Sequence, residues 1–168
     1  MADVQHPAPS IRAMTLADRP ACIEILLGYP WTHYAMTEAR ATRVFDDGLA
    51  QGADLRVAVV DGVALGFVWI LPRGAFHHSD YIRLIGVSER ARGRGVGAAL
   101  MDAAEGDAFA ARRDMFLLVS DFNLAAQAFY RHRGYVQIGA LADYVTPGNT
   151  ELLMRKRWPT PPPPIVGA

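Results

Sequence analysis

The sequence predicts a single α/β domain, a mixed and mostly antiparallel sheet of about seven strands flanked by about four helices. Three observations carry that expectation. A composition of 51% hydrophobic and 20% charged residues over 168 positions suits one continuous core. Residues 55–60 and 63–71 read as two strands joined by Asp61-Gly62, a pair suited to a tight type I′ turn. The unbroken apolar run at 115–120 reads as a strand buried on both faces.

The elements follow in order. Residues 1–9 form a loose leader, and 11–14 a short strand. Thr15-Leu16-Ala17-Asp18 is a capping-box pattern that opens a helix to about residue 27. An aromatic-rich break at 28–34 precedes a second helix, capped by Thr37 and reaching about residue 50. After the hairpin, 72–79 reads as a loop and 81–87 as a strand, with Gly86 marking a bulge that opens the sheet. A helix from Val96 to about residue 113 follows, then the strand at 115–120 and a helix at 123–133 ended by Gly134. Strands at 135–141 and 151–156 close the domain, which spans 10–158, and 159–168 is a Pro-rich flexible tail.

Charge and cysteine content narrow the function classes. Lys+Arg and Asp+Glu stand at 17 each, so no global field recruits nucleic acid or an anionic membrane. The lone Cys22 excludes an internal disulfide and a cysteine-rich metal site, and its place in a helical pattern reads as packing. No basic segment leads into an apolar run at the N-terminus, and no apolar run approaches the ~20 residues of a membrane span. The expectation is a cytoplasmic protein.

The most informative stretch runs from Arg90 to Leu100, between a strand and a helix. Gly93, Gly95 and Gly97 let the backbone pass close to a ligand, and the unsatisfied N–H groups of a helix start converge on an anion. Arg90, Arg92 and Arg94 add positive charge around that opening. Gly93-Arg94-Gly95-Val96-Gly97-Ala98 fits the dinucleotide pattern G-x-G-x-x-G/A, but residues 88–92 separate it from the strand. Asp114 also precedes its strand, where a ribose-binding acid would end one. No G-x-x-x-x-G-K-[ST] occurs, so the P-loop reading fails as well.

Arg92-Gly93-Arg94-Gly95-Val96-Gly97 resembles R/Q-x-x-G-x-G/A, the acetyl-CoA signature of the GCN5-related N-acetyltransferase (GNAT) family. The block from Asn123 to Tyr135 resembles that family's N-x-x-A-x-x-F/L-Y-x-x-x-G-F/Y element. The resemblance covers about residues 11–157 and implies the single-domain GNAT-like acyl-CoA transferase fold. It also implies that backbone N–H groups of Arg92, Gly93, Arg94, Gly95, Val96, Gly97 and Ala98 hold the CoA pyrophosphate. Val87 would contact the pantetheine arm through its backbone and polarise the thioester carbonyl. Asn123 would contact the same arm, and Tyr130 would protonate the departing thiolate. Helix capping by Asn123 and core packing by Tyr130 are the plainer readings of those two residues.

The implied activity is acetyl transfer from acetyl-CoA to an amine by direct attack, with no metal. An alkylamine with a pKa of about 10.4 leaves only about one molecule in a few thousand neutral at pH 7, a shortfall of roughly 4–5 kcal/mol. Some relatives carry a glutamate on the strand after the Gly/Arg motif, where this chain has Leu117-Leu118-Val119. Asp80 is therefore the first candidate for the base, ahead of Glu38, His33, His77 and Asp121. Tyr29, Trp31, His33 and Tyr34 would line the acceptor site from one side and Asp143, Tyr144 and Val145 from the other. The acceptor is a small-molecule amine with an apolar portion, or a peptide, and a homodimer is among the allowed assemblies. The rival readings are a non-catalytic acyl-CoA sensor or interaction module and a protein N-terminal or lysine acetyltransferase.

Overall fold

A computed structural model describes residues 8–159. The expected leader and tail lie almost wholly outside that range. Seven strands and four helices succeed one another in the expected order. They are β1 (Ser10–Ala13), α1 (Arg19–Leu27), α2 (Glu38–Ala50), β2 (Asp54–Val60), β3 (Val63–Ala75), β4 (Ser79–Val87), α3 (Val96–Ala110), β5 (Met115–Ser120), α4 (Leu124–His132), β6 (Val136–Ala142) and β7 (Thr150–Lys156). Among the described residues, no helix is long and apolar enough to cross a membrane.

The strands form one sheet in the order β1-β2-β3-β4-β5-β7-β6, antiparallel throughout except where β4 meets β5. That parallel pairing lasts only from Asp80↔Met115 to Ile82↔Leu117. Beyond it the two strands part, and residues 83–87 keep β3 as their one partner. The cleft that positions the site is this divergence.

Local chemistry explains most boundaries. Asp61 (φ 49°) and Gly62 (φ 78°) both take positive φ, as a type I′ turn requires. The Asp18 carboxylate accepts from the Thr15 N–H at 2.8 Å and is clamped by the Arg12 guanidinium at 2.7 Å through both oxygens. It anchors the 3₁₀ turn that leads into α1.

Two expectations change. Strand β3 runs on through Pro72 to Ala75 instead of ending in a loop at 72. Its pairing with β2 stops at Asp54↔Ile70, so Pro72 lies past the end of β2 and no neighbour on that edge needs its missing N–H. The bulge falls at Arg83, not Gly86, because Trp69 pairs with Leu84 and Ile70 with Ile82. Gly86 pairs in register with Phe67, and a Cβ there would stand 2.7 Å from Ile25 Cγ2. Its small size seats α1 on the sheet.

Two cores sandwich the sheet. On one face α3 and α4 bury Leu100, Met101, Leu117, Val119 and Tyr130. On the other, α1 and α2 bury Cys22, Leu26, Phe45, Phe67 and Trp69. Alternation along β5 turns Leu118 and Ser120 toward the α1–α2 face, since Leu117 and Val119 belong to the opposite core. Asp80 pairs with Arg113, and Glu105 with Arg133 and Lys156, tying α3 and its C-terminal end to the strands.

Candidate active site

The Gly/Arg turn lies at the N-terminus of α3, and its backbone is shaped to receive an anion. Gly93 (φ 73°) and Gly95 (φ 79°) adopt the left-handed conformation, and a Cβ at either would meet nothing within 4 Å. The backbone is thus open to its surroundings at both positions. Among the described residues, the N–H groups of Gly93, Gly95, Val96, Gly97 and Ala98 donate to no backbone acceptor. Five donors therefore stand at the positive end of the helix. The amides of Arg92 and Arg94 are already engaged, donating to Glu89 at 3.2 Å and Ala91 at 3.3 Å. At those two positions of the expected cradle the N–H is therefore not open.

The cradle and the free edge of β4 are neighbours. A Cβ on Gly66 would stand 2.9 Å from Val96 Cγ1, so that glycine lets the first turn of α3 settle onto β3. Gly66 is also the strand partner of Val87, and a Cβ on Gly97 would lie 3.5 Å from Val87 Cγ2. Ser88 donates to Leu65 at 2.9 Å across the β3 edge. Strand alternation then turns the N–H and C=O of Val87 to the opposite edge, which β5 has left. A row of open backbone N–H groups and an unpaired strand edge thus adjoin one cleft, an arrangement that fits an extended molecule with an anionic head and an amide-bearing arm.

Residues of the Asn123–Tyr135 block sit close by. Asn123 caps α4, its Oδ1 accepting from the Ala126 N–H at 3.2 Å. Tyr130 is 7% exposed and packs edge-on to Tyr135, with ring centroids 5.7 Å apart. Burial raises its phenol well above the ordinary tyrosine range, with the nearby Tyr81 adding to the effect. It therefore holds its proton at neutral pH.

Asp80 does not reach this cleft. It is 2% exposed at the opposite end of β4, about 23 Å of strand from Val87. Both of its oxygens are held by Arg113, at 2.6 and 3.0 Å, and one also accepts from the Arg73 N–H at 2.8 Å. Its position and partners are those of a strut between strand and helix end. His77 lies in the turn beside it, and Glu38 on the first turn of α2. His33 and Asp121 do adjoin the cleft: His33 stacks on Phe122 at 4.4 Å, and Asp121 follows Ser120.

The cleft holds a polar cluster of which the sequence pointed only to Tyr34. Ser120, three residues past the last β4–β5 pair, stands level with Ile85 on the diverging strand. Its ladder partner on β7 is Glu151, a carboxylate only 4% exposed. Tyr34, from the connection between α1 and α2, donates to Glu151 Oε1 at 2.6 Å and is hydrogen-bonded to the Ser120 hydroxyl. Ser120 Oγ lies 3.4 Å from both carboxylate oxygens. Burial first, and the Glu151 carboxylate second, push the Tyr34 phenol up to about 12. Tyr81 is pushed up to about 12 by burial, then by the neighbouring Tyr144 and Glu151.

Of the residues expected on the acceptor side, Trp31 packs against the α1–α2 core, Tyr29, His33 and Tyr34 belong to one aromatic cluster, and Tyr144 neighbours Tyr81. Tyr29 meets His33 edge-on at 5.5 Å, and Phe122, absent from the expected set, joins Tyr34 at 6.0 Å. Tyr29, Tyr144 and Val145 are exposed. Between α2 and strands β3 and β4, a cavity of about 320 Å³ is walled by Arg40, Arg43 and Arg83 with one carboxylate, Asp47. Arg83 lies over the Trp69 ring at 4.1 Å.

Comparison with known proteins agrees with this fold. The Acetyltransferase (GNAT) family matches residues 12–135. No curated protein matches the chain. Among solved structures, Ard1 from Thermoplasma volcanium superposes with a TM-score of 0.74 at 24% identity, covering 92% of this chain and all of its own. The ribosomal-protein-S18-alanine N-acetyltransferase from Escherichia coli gives 0.72 at 16% identity, covering 95% and 99%. A GNAT superfamily phosphinothricin acetyltransferase from Sinorhizobium meliloti, solved with AcCoA, gives 0.71 at 20% identity, covering 90% and 89%. The chain belongs to the GNAT acetyltransferase family.

Proposed function

We propose that the protein moves the acetyl group of acetyl-CoA to a primary amine by direct attack, with Tyr130 as the general acid. The observation that carries this reading is the row of open backbone donors from Gly93 to Ala98 beside the unpaired edge of β4. Acetyl-CoA, when bound, supplies a thioester carbonyl and a thiolate leaving group. The amides of Gly93, Gly95, Val96, Gly97 and Ala98 hold the pyrophosphate, each contributing about 0.3–1 kcal/mol, so that several acting together give useful affinity. Arg90, Arg92 and Arg94 surround them with positive charge.

Val87 presents its N–H to the thioester oxygen and aligns the arm along β4. Asn123, its Oδ1 committed to the helix cap, offers its remaining NH₂ group to the arm. Tyr130 gives its hydroxyl proton to the sulfur as the carbon–sulfur bond breaks. Burial favours its neutral form, and the same burial raises the basicity of a thiolate placed beside it, so the two stay matched.

The acceptor enters on the α1–α2 face, between the aromatic break and the β6–β7 loop. Three arginines against one aspartate flank that entrance, which disfavours polycationic amines and favours an acceptor with a single amine beside an apolar or anionic portion. A protein N-terminus is the second reading, because the exposed Tyr29, Tyr144 and Val145 leave that side open. The test is thiol release from acetyl-CoA across monoamines, polyamines, amino acids and short peptides, with acetylated product identified by mass. Turnover of monoamines or peptides supports the reading. Reaction of polyamines alone contradicts the acceptor class, and acetyl-CoA binding without turnover of any amine favours a sensor.

A further inference from the structure

This inference rests on the transferase reading and deepens it. The cleft presents a buried carboxylate, Glu151, with no Lys or Arg within ion-pair distance among the described residues. Its partners are two neutral hydroxyls, Tyr34 and Ser120. Buried carboxylates are usually paired with a cation, and an ammonium group is the partner this one lacks. Tyr34 reaches toward the acceptor side, only half-buried, while its hydroxyl rests on Glu151 at 2.6 Å. Tyr130 belongs to the opposite face of the sheet, so the two proton-handling groups flank the gap from either side.

We propose that Tyr34 and Glu151 form the relay that deprotonates the acceptor ammonium, Tyr34 meeting the amine and Glu151 holding the proton behind it. The ammonium N–H passes its proton to Tyr34 Oη as the Tyr34 proton moves to Glu151 Oε1. The freed nitrogen lone pair bonds to the acetyl carbon, the carbon–sulfur bond breaks, and sulfur takes the Tyr130 proton. The second proton lost by nitrogen restores Tyr130, and Glu151 returns its own to solvent. Ser120 is a positioning residue that fixes both partners. The other ionisable or charged groups around the pair are Tyr81 on β4 with Arg83 beside it, Asp121 after β5, Tyr144 in the β6–β7 loop, Arg40 on α2, which donates to the Tyr34 carbonyl, and His33, stacked on Phe122.

The experiment compares wild type, Glu151→Gln, Tyr34→Phe and the double variant. It reads acetyl transfer to the best amine of the panel from pH 7 to 10, with thermal midpoints and acetyl-CoA affinity alongside. Each single variant is expected to lose about a hundredfold in kcat/KM at pH 7 and to recover much of it by pH 10, where solvent itself supplies neutral amine. The double variant falls no further than the singles, and acetyl-CoA affinity is unchanged. In the presence of free CoA, the amine raises the midpoint of wild type but not of Glu151→Gln. Losses equal at every pH and matched by lower thermal midpoints show a purely structural tie and overturn the assignment. A wild type that acetylates no amine overturns the transferase reading itself, which is a separate result.

Discussion

Arg92 donates from its guanidinium to the Tyr29 carbonyl at 2.9 Å, joining the Gly/Arg turn to the aromatic break between α1 and α2. The motif arginine thus bridges the turn proposed to hold the pyrophosphate and the segment proposed to line the acceptor side. Replacing Arg92 with Lys keeps a positive charge but loses the planar fork. Loss of this exposed bond costs about 1 kcal/mol, roughly a fivefold change. The expected outcome is a several-fold rise in acceptor KM with acetyl-CoA affinity nearly unchanged, read from steady-state kinetics and a binding isotherm. An equal loss on both substrates would show that the bridge does not couple them.

Tyr130→Phe is expected to lower turnover by about a hundredfold while leaving acetyl-CoA binding intact. The ring stays in its core contacts with Phe129 and Tyr135, so the thermal midpoint moves little. Wild-type turnover in this variant removes the acid role.

Asp80→Asn tests the strut. Breaking a buried pair leaves Arg113 without its carboxylate and is expected to cost about 3 kcal/mol of unfolding free energy. Acetyl-CoA affinity should persist at temperatures where the variant is folded. A stable variant with abolished turnover would instead restore Asp80 as a base.

Asp18 ties acid stability to the first helix. The Arg12 guanidinium, with the Thr15 N–H and hydroxyl, lowers its carboxyl from 3.8 to about 2. A group lowered on folding stabilises above its unfolded pKa, and that contribution is lost as pH falls through its folded value. Between pH 4 and 2 wild type should lose about 1–2 kcal/mol that Asp18→Asn lacks throughout. Denaturant melts of the two proteins at pH 7, 4 and 2 measure the gap, and a constant difference across that range would refute the linkage.

What the sequence made legible is what neighbouring residues decide. Asp61-Gly62 and the Gly/Arg turn are read from backbone demands within a few positions: Asp61 and Gly62 take the positive φ that the expected turn requires, and Gly93 and Gly95 take positive φ as well. Asn123 as a cap follows from the same local logic. The polar cluster was illegible because it is assembled by register. Tyr34 and Glu151 are 117 positions apart, and only the placement of β7 beside β5 sets Glu151 opposite Ser120. Asp80 misled for the complementary reason. Its arginine lies 33 positions away, past the end of α3, so a strand-entry carboxylate looked available when it was already held.

Calorimetric titration of acetyl-CoA into wild type and Gly95→Glu tests the central claim most directly. Position 95 needs a positive φ of 79°, and a glutamate there brings both strain and negative charge to the open row of donors. One saturable site in wild type, lost or weakened at least about tenfold in the variant, is the expected result. Absence of saturable binding in wild type, or equal binding in both proteins, would contradict the assignment of the Gly93–Ala98 turn as the acetyl-CoA cradle.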